Sequence, residues 1–307
     1  MAYARTRIKG LVYCDSRRAS GGLTLFTPLE GKGVWLIDMQ GRVINQWEMP
    51  YKPGCYGELL PNGNMLYAGR NESGPLSDVE GAGGVLLETD WSGRIVWEYT
   101  DPYLHHGFYR MKNGNTLVMK WTEVPEHFAG RVRGGDPGSE KNGIMWGEKI
   151  QEIRPSGTVA WEWMAHEHLA PEDFARCPFC PRDTWLHGNG CVELPDGSIL
   201  VSFAKVNTIA IIDKNTGNVK WSWGTDGELA HQHSPVYLHS GNVLVFDNGF
   251  HPNGMAQNYS RVLEIDPRSN KMVWSYEGPE SGDMRMLIYS SMYSNCQRLS
   301  NGNTLIC

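Results

Sequence analysis

The chain has 307 residues, a formal net charge of −6 and 20% charged residues. That length buries a large core in one or two domains, and mild, dispersed acidity without a basic stripe excludes nucleic-acid binding. No apolar run approaches the roughly 20 residues of a membrane helix, and the opening MAYARTRIKGLVYCDSRRASGG has no apolar signal-peptide core. The expectation is therefore a cytoplasmic protein without membrane contact.

From the N-terminus onward, two hairpin types alternate. The outer type runs from an apolar strand through a turn to a strand that closes on tryptophan: residues 34–47, 85–97, 150–161, 209–221 and 262–274. The inner type is built on Asn-Gly-Asn or a variant: residues 56–69, 106–119, 187–202, 233–246 and 293–307. Asn-Gly and Asp-Gly between alternating apolar residues mark tight hairpins, because both can take positive φ. The 12 tryptophans and 36 glycines fit this plan of short strands and tight turns.

Alternating hairpins give four-stranded antiparallel units, which predicts an all-β propeller as a single domain over residues 1–307. Six blades are expected, with five as the fallback, the segment LTLF after Gly22 adding strands at the N-terminus. The chain stops directly after an inner hairpin. Either the outer hairpin at 34–47 closes the ring with it, or the natural C-terminus is missing. Each closing tryptophan is expected to pack between neighbouring blades. Three insertions interrupt the rhythm, at 122–147, 165–182 and 250–259; Pro171-Glu172-Asp173 reads as a helix start.

Inner strands of a propeller begin near the axis, so equivalent repeat positions converge there. Aligned on their turns, those positions hold Cys55, His106, Asn189, His233 and Ser294, with His105 and His187 close by. His105 and His106, as neighbours on a strand, should face opposite ways. His231 reads as a solvated neighbour. Trp185, Phe203 and Tyr293 are expected near the channel mouth, where they would favour an aromatic substrate.

The seven cysteines are odd in number and mostly single; Cys191, Cys296 and Cys307 fall in strand-like segments, which fits a reducing compartment. Cys177 and Cys180 in CPFC have zinc or redox spacing, and a structural zinc there would need His166, His168 or His187 as further ligands. Plain loop thiols are the default.

DTWLHGNGCVELPDGSILVS, NTIAIID with TGNVKWSWG, HQHSPVYL with GNVLVFDNG, and the upstream DPYLHHGFYRMKNGNTLVM resemble the bacterial arylsulfotransferase family from about residue 30 onward. The resemblance implies a six-bladed propeller that moves a sulfuryl group between phenols by ping-pong chemistry through a histidine, without a cofactor. It implies His233 as nucleophile, with His187 and His105 or His106 binding the sulfuryl or phenol oxygens. Asn189, Lys205, Ser294, Tyr293, Trp185 and Phe203 are the candidate substrate contacts.

The family's sulfate-binding arginine falls at or near Ala204. Lys205 beside it would face away on a regular strand. The family's export signal and N-terminal domain are absent from the chain as given.

Two other functions stand beside this one. His106, His187 and His233 would suit a divalent transition metal in a hydrolase or lyase. A non-catalytic interaction scaffold is the third reading. The sequence says nothing of oligomeric state.

Overall fold

A computed structural model describes residue 11 and residues 13–251, 259–278 and 288–307. Of the expected insertion at 250–259, residues 252–258 lie outside the described residues. The sheets form an all-β propeller of five blades. The first blade has three strands, β1 (Leu23–Phe26), β2 (Gly33–Asp38) and β3 (Val43–Glu48). Four antiparallel four-stranded blades follow. They are β4 (Pro53–Leu59), β5 (Met65–Arg70), β6 (Gly84–Thr89) and β7 (Ile95–Thr100); then β8 (Leu104–Arg110), β9 (Thr116–Glu123), β10 (Trp146–Ile153) and β11 (Val159–Met164). The last two are β12 (Gly188–Glu193), β13 (Ile199–Phe203), β14 (Thr208–Ile212) and β15 (Val219–Trp223), and β16 (His233–Tyr237), β17 (Val243–Asp247), β18 (Arg261–Asp266) and β19 (Lys271–Tyr276).

A hairpin of β20 (Cys296–Arg298) and β21 (Thr304–Ile306) comes last, as a sheet of its own. The count is thus five, not six. Strand β1 pairs with β2 from Leu23–Asp38 to Phe26–Trp35 and makes the first blade three-stranded, while β20 and β21 find no further strand among the described residues and add no full blade.

The second strand of each four-stranded blade is largely apolar and buried, as in Met65–Gly69, Leu117–Met119 and Ile199–Phe203. Neighbouring blades meet through the closing tryptophans. The indole N–H of Trp47 donates to Asp90 O (3.1 Å), Trp97 to Pro155 O (2.9 Å), Trp161 to Lys214 O (2.9 Å) and Trp221 to Asn270 Oδ1 (3.1 Å). Each acceptor sits in the outer turn of the following blade, so four successive joints share one geometry. The expectation of tryptophan between blades is met.

The inner turns also have a repeated partner. Asn64 Nδ2 donates to Glu88 Oε1 and Asn242 Nδ2 to Glu264 Oε1, each at 2.7 Å. Arg110 pairs with Glu88 at 2.7 Å and stacks over Trp97, its guanidinium carbon 5.1 Å from the ring centre. Arg298 on β20 repeats this with Glu264 at 2.7 Å and Trp274 at 4.6 Å. The final hairpin therefore makes the inner-hairpin contacts of a blade.

The insertions at 122–147 and 165–182 lock together as one layer. Arg131 holds Glu172 at 2.7 and 2.9 Å, and Arg182 donates to Ala129 O, Val132 O and Gly134 O. Residues 171–173 are a turn rather than a helix start; the one-turn helix is α2 (Ala165–His168), beyond α1 (Glu126–Ala129). Glu172 is spent on the Arg131 ion pair instead.

Trp47 is 1% exposed. Trp47→Ala should cost about 3–5 kcal/mol in urea unfolding by emptying a buried site. Trp47→Phe, which chiefly removes the N–H donor, should cost about 1–3 kcal/mol. A Phe variant as stable as wild type would mean that packing alone joins the blades.

Candidate functional site

Strand β12 lies against both β8 and β16, so the starts of three inner strands meet at one place. Each start departs from regular pairing. The register slips between His105 and Phe108, between Gly188 and Gly190, and between His233 and Val236. At these slips the backbone is left-handed: φ is 45° at His106, 53° at His187 and 52° at Ser234. Such residues cost on the order of 1–3 kcal/mol each and gather at functional sites. Here the slips end strand alternation, and the rings of His105 and His106 come within reach of one another instead of facing opposite ways.

His106, His187 and His233 line one cavity of about 520 Å³, together with Lys205, Phe179 and Tyr293. Gly81 forms the seat of His106. It accepts the His106 N–H at 2.7 Å, sits at φ 77°, and a Cβ there would lie 2.0 Å from the imidazole.

The tautomer of His233 follows from its neighbours. Its Nδ1 lies 2.7 Å from Asn248 Oδ1 and 3.1 Å from His231 O. Asn248 spends its NH₂ on Ser290 O (2.9 Å) and Tyr293 O (3.1 Å), which fixes its oxygen toward the ring. Both atoms facing Nδ1 are acceptors, so Nδ1 carries the proton and Nε2 keeps its lone pair.

His106 is backed by a buried relay. Its Nδ1 is 3.0 Å from His105 Nδ1, and His105 Nε2 lies 3.0 Å from Glu148 Oε2, not aligned as a hydrogen bond. The Gly188 N–H donates to the other Glu148 oxygen at 2.7 Å, and the His105 ring stacks on Trp121 with centres 3.6 Å apart. His105 thus stands behind His106 and does not line the cavity. His187 Nδ1 is 3.2 Å from Thr184 Oγ1, and its ring is 4.7 Å from that of His106.

Burial holds these imidazoles neutral. The pKa of His106 falls well below the ordinary value through burial and then the nearby His105; that of His187 does so through burial and then Lys205. His233 is lowered to about 4 by burial, partly offset by its Asn248 and His231 acceptors.

Lys205 lies in a 3-10 turn over Ala204–Val206, where the amides of Ala204 and Lys205 donate to His187 O and Leu186 O. Consecutive residues pair to the same side, so the alternation that would turn Lys205 away is lost. The lysine lines the cavity and pairs with Asp183 at 3.0 Å.

Other expected contacts sit elsewhere. Trp185 and Phe203 are fully buried, Trp185 against Phe128 (4.8 Å) and Phe203 against Trp163 (6.3 Å), because large rings fill the space beneath the insertions. Asn189 Nδ2 donates to Gln232 O at 2.7 Å and ties β12 to the segment before β16. Ser294 offers its backbone oxygen to Ser234 Oγ at 3.1 Å and does not line the cavity. Tyr293 does line it, 6.4 Å from the His233 ring.

Glu148 and Asn248 are the residues sequence reasoning missed. GEKIQEI reads as ordinary outer strand and FDNG as an ordinary turn, so neither carries a local signal. Nor is His231 a solvated neighbour, being 7% exposed. Among the described residues, Cys177, Cys180, His231 and His251 form a group whose ligand atoms lie within 4.8 Å of one another. The partners of the CPFC pair are thus His231 and His251, not His166, His168 or His187, because the 3-10 turn brings the loop against the segment before β16.

Residues 15–230 match the family model described as arylsulfotransferase (ASST). No curated protein matches the sequence. A solved protein of unknown function from Bacteroides caccae is 17% identical over 83% of this chain and 77% of its own, with a TM-score of 0.51. Virginiamycin B lyase from Staphylococcus aureus, as an inactive variant with quinupristin, is 10% identical over 93% and 83%, with a TM-score of 0.49. At 17% identity the likeness to the Bacteroides caccae protein is one of fold alone.

The depressed histidines make stability depend on pH. Above the unfolded value near 6.5 they are neutral in both states, whereas below it the unfolded chain alone takes up their protons. Stability should therefore fall as pH drops from about 6.5 toward 4, by up to about 1.4 kcal/mol per pH unit for each such histidine. In urea unfolding between pH 7 and 5, His187→Gln should flatten that slope by about one proton. An unchanged slope would mean that His187 is not held neutral.

Proposed function

Because the chain belongs to the arylsulfotransferase family, we propose that it transfers sulfuryl groups between phenols through a covalent intermediate on His233. The observation that supports this most is the pairing of His233 Nδ1 with Asn248 Oδ1 at 2.7 Å, which leaves Nε2 basic on a ring that lines the cavity. A neutral imidazole nitrogen is a competent nucleophile, and the His233 pKa of about 4 keeps it neutral across the physiological range.

In the first half-reaction, Nε2 attacks the sulfur of an aryl sulfate and an S–N bond replaces the S–O bond. The phenolate leaves with the electron pair beside the Lys205 ammonium and is protonated from solvent. In the second, an acceptor phenol gives its proton to neutral His106 or His187 while its oxygen takes the sulfuryl group, which restores His233. Lys205 supplies the positive charge that the family's arginine would bring, as a point charge rather than a bidentate fork. His105 and Glu148 position His106, and Tyr293 and Phe179 offer rings to the aromatic substrate.

Incubation with 4-nitrophenyl sulfate and a second phenol should release nitrophenolate in a burst and leave a sulfuryl group on His233, detected by mass spectrometry of the quenched protein. His233→Ala should abolish both signals. Asn248→Ala, which frees the ring to adopt the wrong tautomer, should lower kcat by about 10²-fold. The acid limb of kcat/KM should lie near the His233 value of about 4. A limb near 6.5, or full activity in His233→Ala, would sink the assignment.

A further inference from the structure

The CPFC loop and two histidines outside the proposed catalytic set form a second constellation at the edge of the same cavity. Cys180 Sγ is 3.2 Å from His231 Nε2, and Cys177 Sγ is 3.6 Å from His251 Nδ1. Around one zinc ion, with bonds of about 2.3 Å to sulfur and 2.0–2.1 Å to nitrogen, a tetrahedral S–N edge is about 3.5 Å. The two observed contacts bracket that edge.

Three of the four donor residues are also held by hydrogen bonds of the protein itself. The Cys177 N–H donates to Lys205 O (2.8 Å), and the Cys180 N–H to Cys177 O (3.3 Å), which folds the CxxC turn so that both thiols face one point. The His231 N–H donates to Asn207 Oδ1 at 3.0 Å, and its Nδ1 lies 2.8 Å from Phe250 O. That carbonyl requires the proton on Nδ1, which leaves Nε2 as the lone-pair nitrogen facing Cys180. A backbone carbonyl on the far nitrogen is the usual outer partner of a metal-bound histidine. Both cysteines are buried free thiols, and His231 is buried.

We propose that Cys177, Cys180, His231 and His251 bind one zinc ion that clasps the CPFC insertion to the strand carrying His233. Two thiolates and two imidazoles in this arrangement select zinc, and four protein ligands leave no open position, so the ion is structural. Its effect on the cavity is local. Phe179 lies inside the CxxC turn with its ring centre 5.3 Å from that of His251, and the Phe250 ring stacks on His251 at 3.8 Å. Cys180, Phe179, Phe250, His231 and His251 all line the cavity, so the clasp builds part of its wall. His231 also offers its carbonyl to His233 Nδ1, so the ion fixes one of the two acceptors that orient that ring.

The test is elemental analysis of the full chain purified under reducing conditions and loaded with zinc. It reads metal rather than activity, so its result is independent of whether sulfuryl transfer holds. About one zinc per chain is expected, with the same content in His106→Ala. The double variant Cys177→Ser, Cys180→Ser should hold none. His251→Ala should bind zinc at least about 10-fold more weakly in competition with a chelator. Cobalt in place of zinc should give the intense visible absorption of tetrahedral thiolate coordination, a readout on wild type that stands even if the cysteine variants fail to fold. A chain that takes up no zinc with its thiols reduced overturns the proposal. So does zinc that persists in the double cysteine variant but is lost in His106→Ala or His187→Ala, which would put the ion on the central histidines.

Discussion

The indole N–H bonds that join each blade to the outer turn of the next are the constraint on which the architecture rests. A blade is a twisted sheet with two apolar faces and cannot bury both alone. Trp47, Trp97, Trp161 and Trp221 cover that surface and also fix how far one blade can slide past its neighbour, because each N–H must reach one carbonyl or amide oxygen. With the outer edges pinned, the inner strands have no freedom to separate. Their first residues are thereby brought together at the axis, and the site inherits its geometry from joints at the far side of each sheet.

At the axis the requirement is reversed, and regular pairing gives way. A ladder continued through His105–His106 would have sent one ring away from the other. The slips and left-handed backbone at His106, His187 and Ser234 break that rule in three consecutive blades. His106 and His187 are buried and His233 is half-buried, and loss of solvent rather than any single partner lowers their pKa. Neutral rings result, and that of His233 has a defined tautomer. Lys205 and Glu148 supply the charge that the rings lack.

The insertions add a layer that the repeats do not contain. Their ion pairs and carbonyl contacts make residues 122–147 and 165–182 a single cover over one side of the cavity. The cysteine pair sits where that cover meets the segment before β16. This explains why Phe179, far from His233 in sequence, belongs to the same cavity.

The sequence by itself determined the repeat plan, the all-β propeller, the inter-blade tryptophans and the convergence of His106, His187 and His233, because each is written in local periodicity. It did not determine the blade count, since how the N-terminal strand and the last hairpin pair depends on contacts between segments distant in sequence. It did not identify Glu148 or Asn248 either, because both look like ordinary strand and turn residues until a neighbouring blade places a histidine beside them. Trp185 and Phe203 show the converse: aromatic residues near the site in sequence, drawn into the core by the volume beneath the insertions. Lys205 and His231 were misread for one physical reason. Side-chain direction follows the two-residue period only while the strand stays regular, and the tertiary structure bends the strand where the site is built.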